Sequence, residues 1–119
     1  IDIIEKEGLA AKAAEDGKYL KSHFDQLAEK YPIIGDIRGI GMLWAIELVA
    51  DQKTNTPLDT KLAVGTWIRD YCWQREMILR NNGDILVIAP ALVITREQID
   101  FMLNLVEEAI AGAMKHFKL

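Results

Sequence analysis

The sequence IIGDIRGIGMLWAIELV, residues 33–49, indicates most of the fold. It contains two largely apolar runs, 33–38 and 42–49, joined by the short segment Gly39-Ile40-Gly41. The second run is almost wholly apolar, which is typical of a strand that is covered on both faces. Because the connection is so short, we predict two neighbouring antiparallel strands.

Helical periodicity surrounds this pair of strands. Residues 3–30 carry apolar or small side chains three to five positions apart, so they predict a helix that ends before Pro32. A polar loop is predicted at 51–57, and a second helix is predicted to begin near Asp59 or Thr60, since either could cap it. The apolar face of that second helix consists of Leu62, Ala63, Trp67, Ile68 and Tyr71.

The second half of the chain predicts a hairpin and a last helix. Residues 77–80 and 85–89 predict two strands joined by a turn at 81–84, because Asn-Gly between apolar runs is a strong hairpin signal. Thr95 and Gln98 form a capping-box pattern at the start of the last helix. The order is therefore α-β-β-α-β-β-α, and we predict an α+β domain with three helices packed on one face of a small antiparallel sheet.

Composition excludes several classes of protein. The 119 residues suit one domain, and a net charge of −4 gives no basic surface for nucleic acid or for a membrane. No apolar run approaches the ~20 residues that cross a bilayer. The single cysteine, Cys72, predicts a reducing, cytoplasmic setting and a buried, inert thiol. The chain opens directly into a helical pattern without an initiator Met, so we expect a domain of a longer protein.

Arg80 is the main candidate for a binding role. It ends a predicted apolar strand just before a turn, so its guanidinium can project from the rim of the sheet. Such a fork matches a carboxylate or a phosphate in bidentate fashion. A solvated arginine at a strand end is the commoner case, and position alone leaves both interpretations open.

The glycine-rich segment beside Arg38 is not a dinucleotide loop. Gly39 and Gly41 lack the third glycine and the following helix of that fingerprint, so they indicate a tight turn or a bulge. Arg38 is predicted to make a structural or inter-domain contact. Glu47 lies within an apolar run and needs a partner, for which an arginine on a neighbouring strand is the candidate. Trp44 either belongs to the core or lines a site.

The remaining polar and aromatic candidates indicate no chemistry. His23 and His116 lie far apart on helices, without the ligand spacing of a metal site, so no metal is predicted. Trp67, Tyr71 and Trp73 are interpreted as core or interface residues.

Two stretches resemble the C-terminal region of class III aminotransferases. Residues 35–48 are similar to the family's "(V/I)RGxGL…A(V/I)EL" hairpin, and residues 78–95 to its "(L/V)R…GD…(I/L)…(S/A)PPL(V/I)(I/M)T" stretch. Together with the two outer helices, the resemblance covers nearly the whole chain in order. There are two departures: Pro90-Ala91 replaces the family's Pro-Pro, and Asn81-Asn82 follows the arginine where the family often has a proline.

The resemblance implies the C-terminal small domain of a fold type I, pyridoxal 5'-phosphate (PLP) dependent transaminase of the omega-amino acid:pyruvate type. Such enzymes are homodimers that move an amino group between an amine or omega-amino acid and a keto acid such as pyruvate. Arg80 would pair with the substrate carboxylate and swing aside for amines without one, while Pro90 would be a structural or inter-domain residue like Arg38, Gly39, Gly41 and Glu47.

The resemblance also limits what this chain could do alone. The Schiff-base lysine and the acidic partner of the cofactor's ring nitrogen belong to the family's large domain, so no catalytic residue is expected here. The alternative is a free-standing α+β module that binds small carboxylates or a protein partner.

Overall fold

The computed structural model describes residues 3–41, 43–89 and 95–119, with side chains described for 11–39, 41, 43–89 and 95–119. The predicted α+β class and order are confirmed, with one short strand added. The elements are α1 (Ile3–Lys30), β1 (Ile34–Ile40), β2 (Leu43–Asp51), β3 (Thr56–Pro57), a 3-10 turn (Thr60–Leu62), α2 (Val64–Trp73), β4 (Arg80–Asn82), β5 (Ile85–Ile88) and α3 (Arg96–Phe117). None of the described helices is long and apolar enough to span a membrane.

The sheet is antiparallel, with strand order β1-β2-β5-β4. The predicted first pair is confirmed, and Gly41 has a φ of +56° in the connection, as a tight turn requires. Residues 51–57 are predicted to form a polar loop, but both ends of this segment belong to strands. Strand β2 continues to Asp51, and β3 pairs with it, because an irregularity between Val49 and Asp51 lets the chain fold back.

One face of the sheet packs against all three helices. Along β2 and β5 alternate side chains are buried, as a strand with one covered face requires. Trp44 is only 5% exposed, its ring lies 5.7 Å from that of Phe24 on α1, and its indole N–H donates to the Gly41 carbonyl over 2.7 Å. Of the two interpretations of Trp44, the core is the one observed. The other buried strand residues of this face are Ile46, Leu48, Leu86 and Ile88.

The second helix begins later than predicted. Asp59 does act as a cap, accepting from the Lys61 amide over 3.0 Å, but the segment it caps is the 3-10 turn. Ala63 then adopts a left-handed conformation with a φ of 53°, so α2 begins only at Val64. Leu62 and Ala63 consequently lie outside α2 and are exposed, so their predicted place on its apolar face is wrong.

The capping box of α3 is confirmed, with both Thr95–Gln98 hydrogen bonds present.

An ionic cluster connects the start of α3 to α1. Buried Asp16 accepts from Lys12 over 2.5 Å and from Arg96 over 3.2 Å. These contacts hold the two longest helices against each other beside the sheet.

The predicted hairpin and its second strand are confirmed, but the first strand lies later and the turn is shorter than predicted. The prediction placed the first strand at 77–80 and the turn at 81–84, whereas β4 is Arg80–Asn82 and the turn is Gly83-Asp84. The turn lies there because Gly83, with a φ of +59°, accommodates the reversal. Residues 77–79 instead approach α2, and the Met77 amide donates to the Cys72 carbonyl.

Candidate functional site

The candidate site lies on the face of the sheet opposite to the helices. Directly opposed residues of neighbouring strands point to the same face. The pairs Arg38–Ala45, Ala45–Val87 and Val87–Arg80 therefore form one row across four strands. The two arginines stand at its ends, about 14 Å apart at three strand spacings. Arg80 begins β4 rather than ending a strand, which corrects its predicted position.

A depression of about 480 Å³ adjoins Arg80 on this face, and its surface is polar and apolar in nearly equal parts. Leu43 and Ile78 lie on it with 56% and 76% of their surfaces exposed. Exposed large aliphatic side chains gathered on one concave surface indicate a surface that contacts another molecule or chain segment. The depression is lined by Leu43, Ile78, Arg80, Val87 and Ala89.

The two arginines of the row differ in their charge partners. The Arg38 guanidinium lies 3.4 Å from the Glu47 carboxylate and 3.6 Å from that of Asp36, so its charge is largely neutralised. This contact is the partner predicted for Glu47. Arg80 forms no ion pair and no side-chain hydrogen bond within the described part of the chain. Of the two arginines in this row, Arg80 is therefore the one without a charge partner among the described residues, and it lies beside the depression.

Four of the residues predicted to make structural or inter-domain contacts are described, and none of them lines the larger depression: Arg38, Gly39, Gly41 and Glu47. Gly39 lies in β1 opposite Trp44, where a Cβ would come within 2.4 Å of the indole ring, so its role is close packing. Arg38 and Gly39 line a smaller neighbouring depression of about 260 Å³. Pro90 lies outside the described residues.

Cys72 and the two histidines form no site. Cys72 is fully buried, which confirms its predicted burial, and desolvation raises the pKa of its thiol to about 11. His23 packs edge-on against Tyr19, and His116 stacks on Trp67. Across the ranges that are described, no group of three or more His, Cys, Asp or Glu residues could hold a metal ion.

The three aromatic residues of α2 have different environments. Trp67 and Tyr71 are half-buried and stacked at 5.4 Å between α2 and α3, which agrees with the predicted packing role. Trp73 is 67% exposed at the end of α2, so it is not a core residue.

The residues present fit a carboxylate contact and do not by themselves fit a PLP site. PLP enzymes hold the cofactor through a lysine. Among the described residues no lysine lines either depression on the open face. The chemical capacity of this face is therefore recognition of an anion next to an apolar group.

Sequence reasoning missed the residues that accompany Arg80. Ile78 could have been found, because a strand side chain two positions away shares the same face. Leu43 could not, since its place beside Arg80 depends on the β2–β5 register, which no local pattern specifies.

Comparison with known families assigns the chain. The profile described as Aminotransferase class-III matches residues 1–110. The chain belongs to the class III aminotransferases. The predicted family is confirmed, and the structural neighbours of this class III domain are transaminases of fold type I.

Two curated relatives and one solved structure illustrate the similarity. Isoleucine 2-epimerase of Lentilactobacillus buchneri is 40% identical over 113 residues, 94% of this chain and 24% of that protein. Putrescine–pyruvate aminotransferase of Pseudomonas aeruginosa is 36% identical over 111 residues, 92% and 24% of the two chains. The crystal structure of an omega-transferase from Vibrio fluvialis JS17 has a TM-score of 0.90 and 32% identity, covering 98% of this chain and 28% of that one. The chain thus spans about a quarter of the length of these relatives.

Proposed function

We propose that this chain is the C-terminal small domain of a PLP-dependent transaminase of the omega-amino acid:pyruvate type. In this proposal Arg80 binds the carboxylate of the keto acid or amino acid. The observation that carries it is the Arg80 guanidinium, which has no ion-pair partner among the described residues and lies beside an exposed depression lined by four aliphatic side chains. The similarity to putrescine–pyruvate aminotransferase supports pyruvate as the amino acceptor.

The environment of Arg80 suits this role in two ways. A charge-assisted hydrogen bond to a carboxylate contributes about 1.5–3 kcal/mol, and the guanidinium fork can make two such bonds in one plane. The aliphatic side chains of Leu43, Ile78 and Val87 beside the guanidinium offer an apolar surface to the carbon skeleton of the substrate.

The rest of the active site would come from outside this chain. PLP supplies the electron sink for the reaction when it is bound, and its lysine and acidic partner would belong to the large domain. One solved neighbour is a PLP-bound aminotransferase from Vibrio fluvialis, which supports PLP as the cofactor. We further propose that the full-length enzyme is a homodimer and that Arg38, Glu47 and Pro90 serve structural or inter-domain contacts.

The test is substitution of Arg80 in the full-length enzyme. Arg80→Ala should lower kcat/KM for pyruvate by roughly 10–150-fold, the equivalent of 1.5–3 kcal/mol. It should leave kcat/KM for a carboxylate-free primary amine within about threefold. Arg38→Ala is the matched control, because that arginine lies in the same row but is neutralised by two carboxylates, and it should show no such selectivity. Intact pyruvate use by Arg80→Ala would refute the proposal.

A second candidate reaction is epimerisation of an amino acid, which the 40% identity to isoleucine 2-epimerase favours. Arg80 would then bind the amino-acid carboxylate in the same depression. Incubating the enzyme with one enantiomer of a branched amino acid and no keto acid distinguishes the two reactions. With L-isoleucine as the substrate, appearance of the diastereomer inverted at C2 supports the epimerase, whereas an absolute requirement for a keto acid supports the transaminase.

A further inference from the structure

The strand that carries Arg80 is fastened to α2 by the side chain of the next residue. The Asn81 amide nitrogen donates to the Thr66 hydroxyl over 3.2 Å and to the Gly83 carbonyl over 2.9 Å. Its amide oxygen accepts from the Arg69 guanidinium over 3.3 Å. A single side chain thus joins β4 to two residues of α2 and to its own turn.

We propose that Asn81 is a positioning residue that sets the direction of the Arg80 guanidinium, an inference that rests on the function proposed for Arg80. Successive strand side chains point to opposite faces. Asn81 therefore points to the helix side of the sheet and Arg80 to the open face. Because the contacts of the Asn81 side chain limit rotation of β4 about its axis, they also limit the directions that the Arg80 side chain can take.

Strand β4 needs such a fastening because it is short and lies at the edge of the sheet. It has three residues and pairs only with β5 among the described strands. The three residues before it, 77–79, lie outside the ladder. Ladder hydrogen bonds on one side restrain the position of an edge strand but restrain its rotation weakly. The Asn81 contacts to α2 act perpendicular to the ladder, on the helix-covered face of the sheet, and restrain that rotation.

The turn of the hairpin has its own, separate attachment. The Gly65 amide, in the first turn of α2, donates to the Asp84 carboxylate over 3.1 Å. This contact holds the turn in place even without the Asn81 side chain. Loss of Asn81 should therefore leave the hairpin docked and release mainly the rotation of β4.

The effect should appear selectively in substrates that have a carboxylate. A less restrained β4 would spread the guanidinium over more directions, which weakens binding of the carboxylate without altering the chemical step. Substrates without a carboxylate do not use the Arg80 contact and should be unaffected. A purely structural defect would instead reduce the active fraction and lower turnover of both kinds of substrate equally.

The experiment compares Asn81→Ala and its neighbour Asn82→Ala in the full-length holoenzyme. Asn82 is exposed on the same strand and makes no side-chain hydrogen bond within the described residues. We expect Asn81→Ala to raise KM for pyruvate about tenfold with kcat within twofold, a loss equivalent to about 1.4 kcal/mol. Its kcat/KM for a carboxylate-free amine should stay within twofold of wild type, and Asn82→Ala should change neither value.

Perturbing the hydrogen-bond partner tests the same contact from α2. Thr66→Val removes the acceptor while keeping the shape, and it should raise KM for pyruvate about threefold. Thr66→Ser keeps the hydroxyl and should restore the wild-type value. These two variants also decide the matter if Asn81→Ala fails to fold.

The outcomes separate this inference from the proposed function. If Arg80→Ala impairs pyruvate selectively but Asn81→Ala and Thr66→Val do not, the positioning role is refuted and the function of Arg80 stands. If these variants lower the use of both substrates equally, Asn81 is merely structural. If Arg80→Ala itself shows no selectivity, the proposed function fails and the positioning role fails with it.

Discussion

The contact between α2 and the hairpin turn leads to a quantitative prediction for Gly65→Ala. Gly65 is buried in the first turn of α2, and a Cβ added there would lie 2.1 Å from the Gly83 carbonyl oxygen and 3.1 Å from the Asp84 Cα. Ordinary van der Waals contact begins at 3.4 Å, so the helix and the turn would have to separate by 1.3 Å, the difference between 3.4 and 2.1 Å. Both atoms that meet the methyl group are backbone atoms, so no side-chain rotation relieves the clash.

Opposing terms set the size of the effect. Alanine is favoured over glycine in a helix by about 1 kcal/mol. Overpacking a well-packed contact costs about 1–3 kcal/mol, and weakening the Gly65–Asp84 hydrogen bond costs about 0.5–1.5 kcal/mol more. The free energy of unfolding should therefore fall by about 0.5–3.5 kcal/mol, the sum of the two costs less the propensity gain.

Urea-induced unfolding followed by tryptophan fluorescence measures this change, with the shift in midpoint multiplied by the slope m. Gly112→Ala is the matched control. Its Cβ would meet only side-chain atoms of Trp67 at 3.1 Å and 3.6 Å and of Tyr71 at 3.9 Å, so it carries the same propensity gain with a clash that rings can relieve. We expect Gly112→Ala to stay within about 1 kcal/mol of wild type. A Gly65→Ala protein as stable as the control would refute the geometry of the α2–turn contact.

Two further predictions concern buried ionisable groups. The hydrogen bond from Lys12 and the pairing with Arg96 hold the pKa of Asp16 below its ordinary value, despite the opposing effect of burial. A lowered pKa means that this stabilisation is present above the unfolded pKa of about 4 and is lost as the pH falls through the folded value. The measurement is the unfolding midpoint of wild type and of Asp16→Asn between pH 3 and 7. The wild-type protein should be more stable by a constant amount above about pH 5, and this difference should shrink below about pH 4. A difference that stays constant over the whole range contradicts the pairing. The Cys72 thiol, buried and with its pKa raised to about 11, should resist iodoacetamide at pH 8 until urea unfolds the protein. Alkylation at the same rate in native and unfolded protein would disprove its burial.

Local signals accounted for much of the fold. The capping box at Thr95, the turn at Gly41 and the apolar stripe of the first helix each involve residues close in sequence, so their energetics are visible in a short window. The displaced elements are those set by tertiary contacts. Residues 77–79 lie outside the sheet, with the Met77 amide bonded to the Cys72 carbonyl of α2, and β3 pairs with the end of β2. Neither partner can be identified from local residue patterns.

The same division applies to the candidate site. Arg80 could be selected from its residue type and its place beside a turn. Arg38 differs from Arg80 because it pairs with Glu47 and Asp36. The sequence predicts an arginine partner for Glu47 but not the contact with Asp36. The apolar neighbours of Arg80 come from three separate segments, so their meeting depends on register and on strand order.

The alternation of side chains along β2 and β5 has a consequence for how this domain can change. Even-numbered positions such as Ile46 and Leu86 lie in the core and odd-numbered ones such as Ala45 and Val87 form the open face, except that Val49 is buried. Substitutions at the open-face positions can therefore accumulate without opening cavities in the hydrophobic interior. The two faces of the sheet thus separate the positions that can alter ligand preference from those that must be preserved for folding. A mutational library restricted to the open face should retain a high proportion of folded proteins.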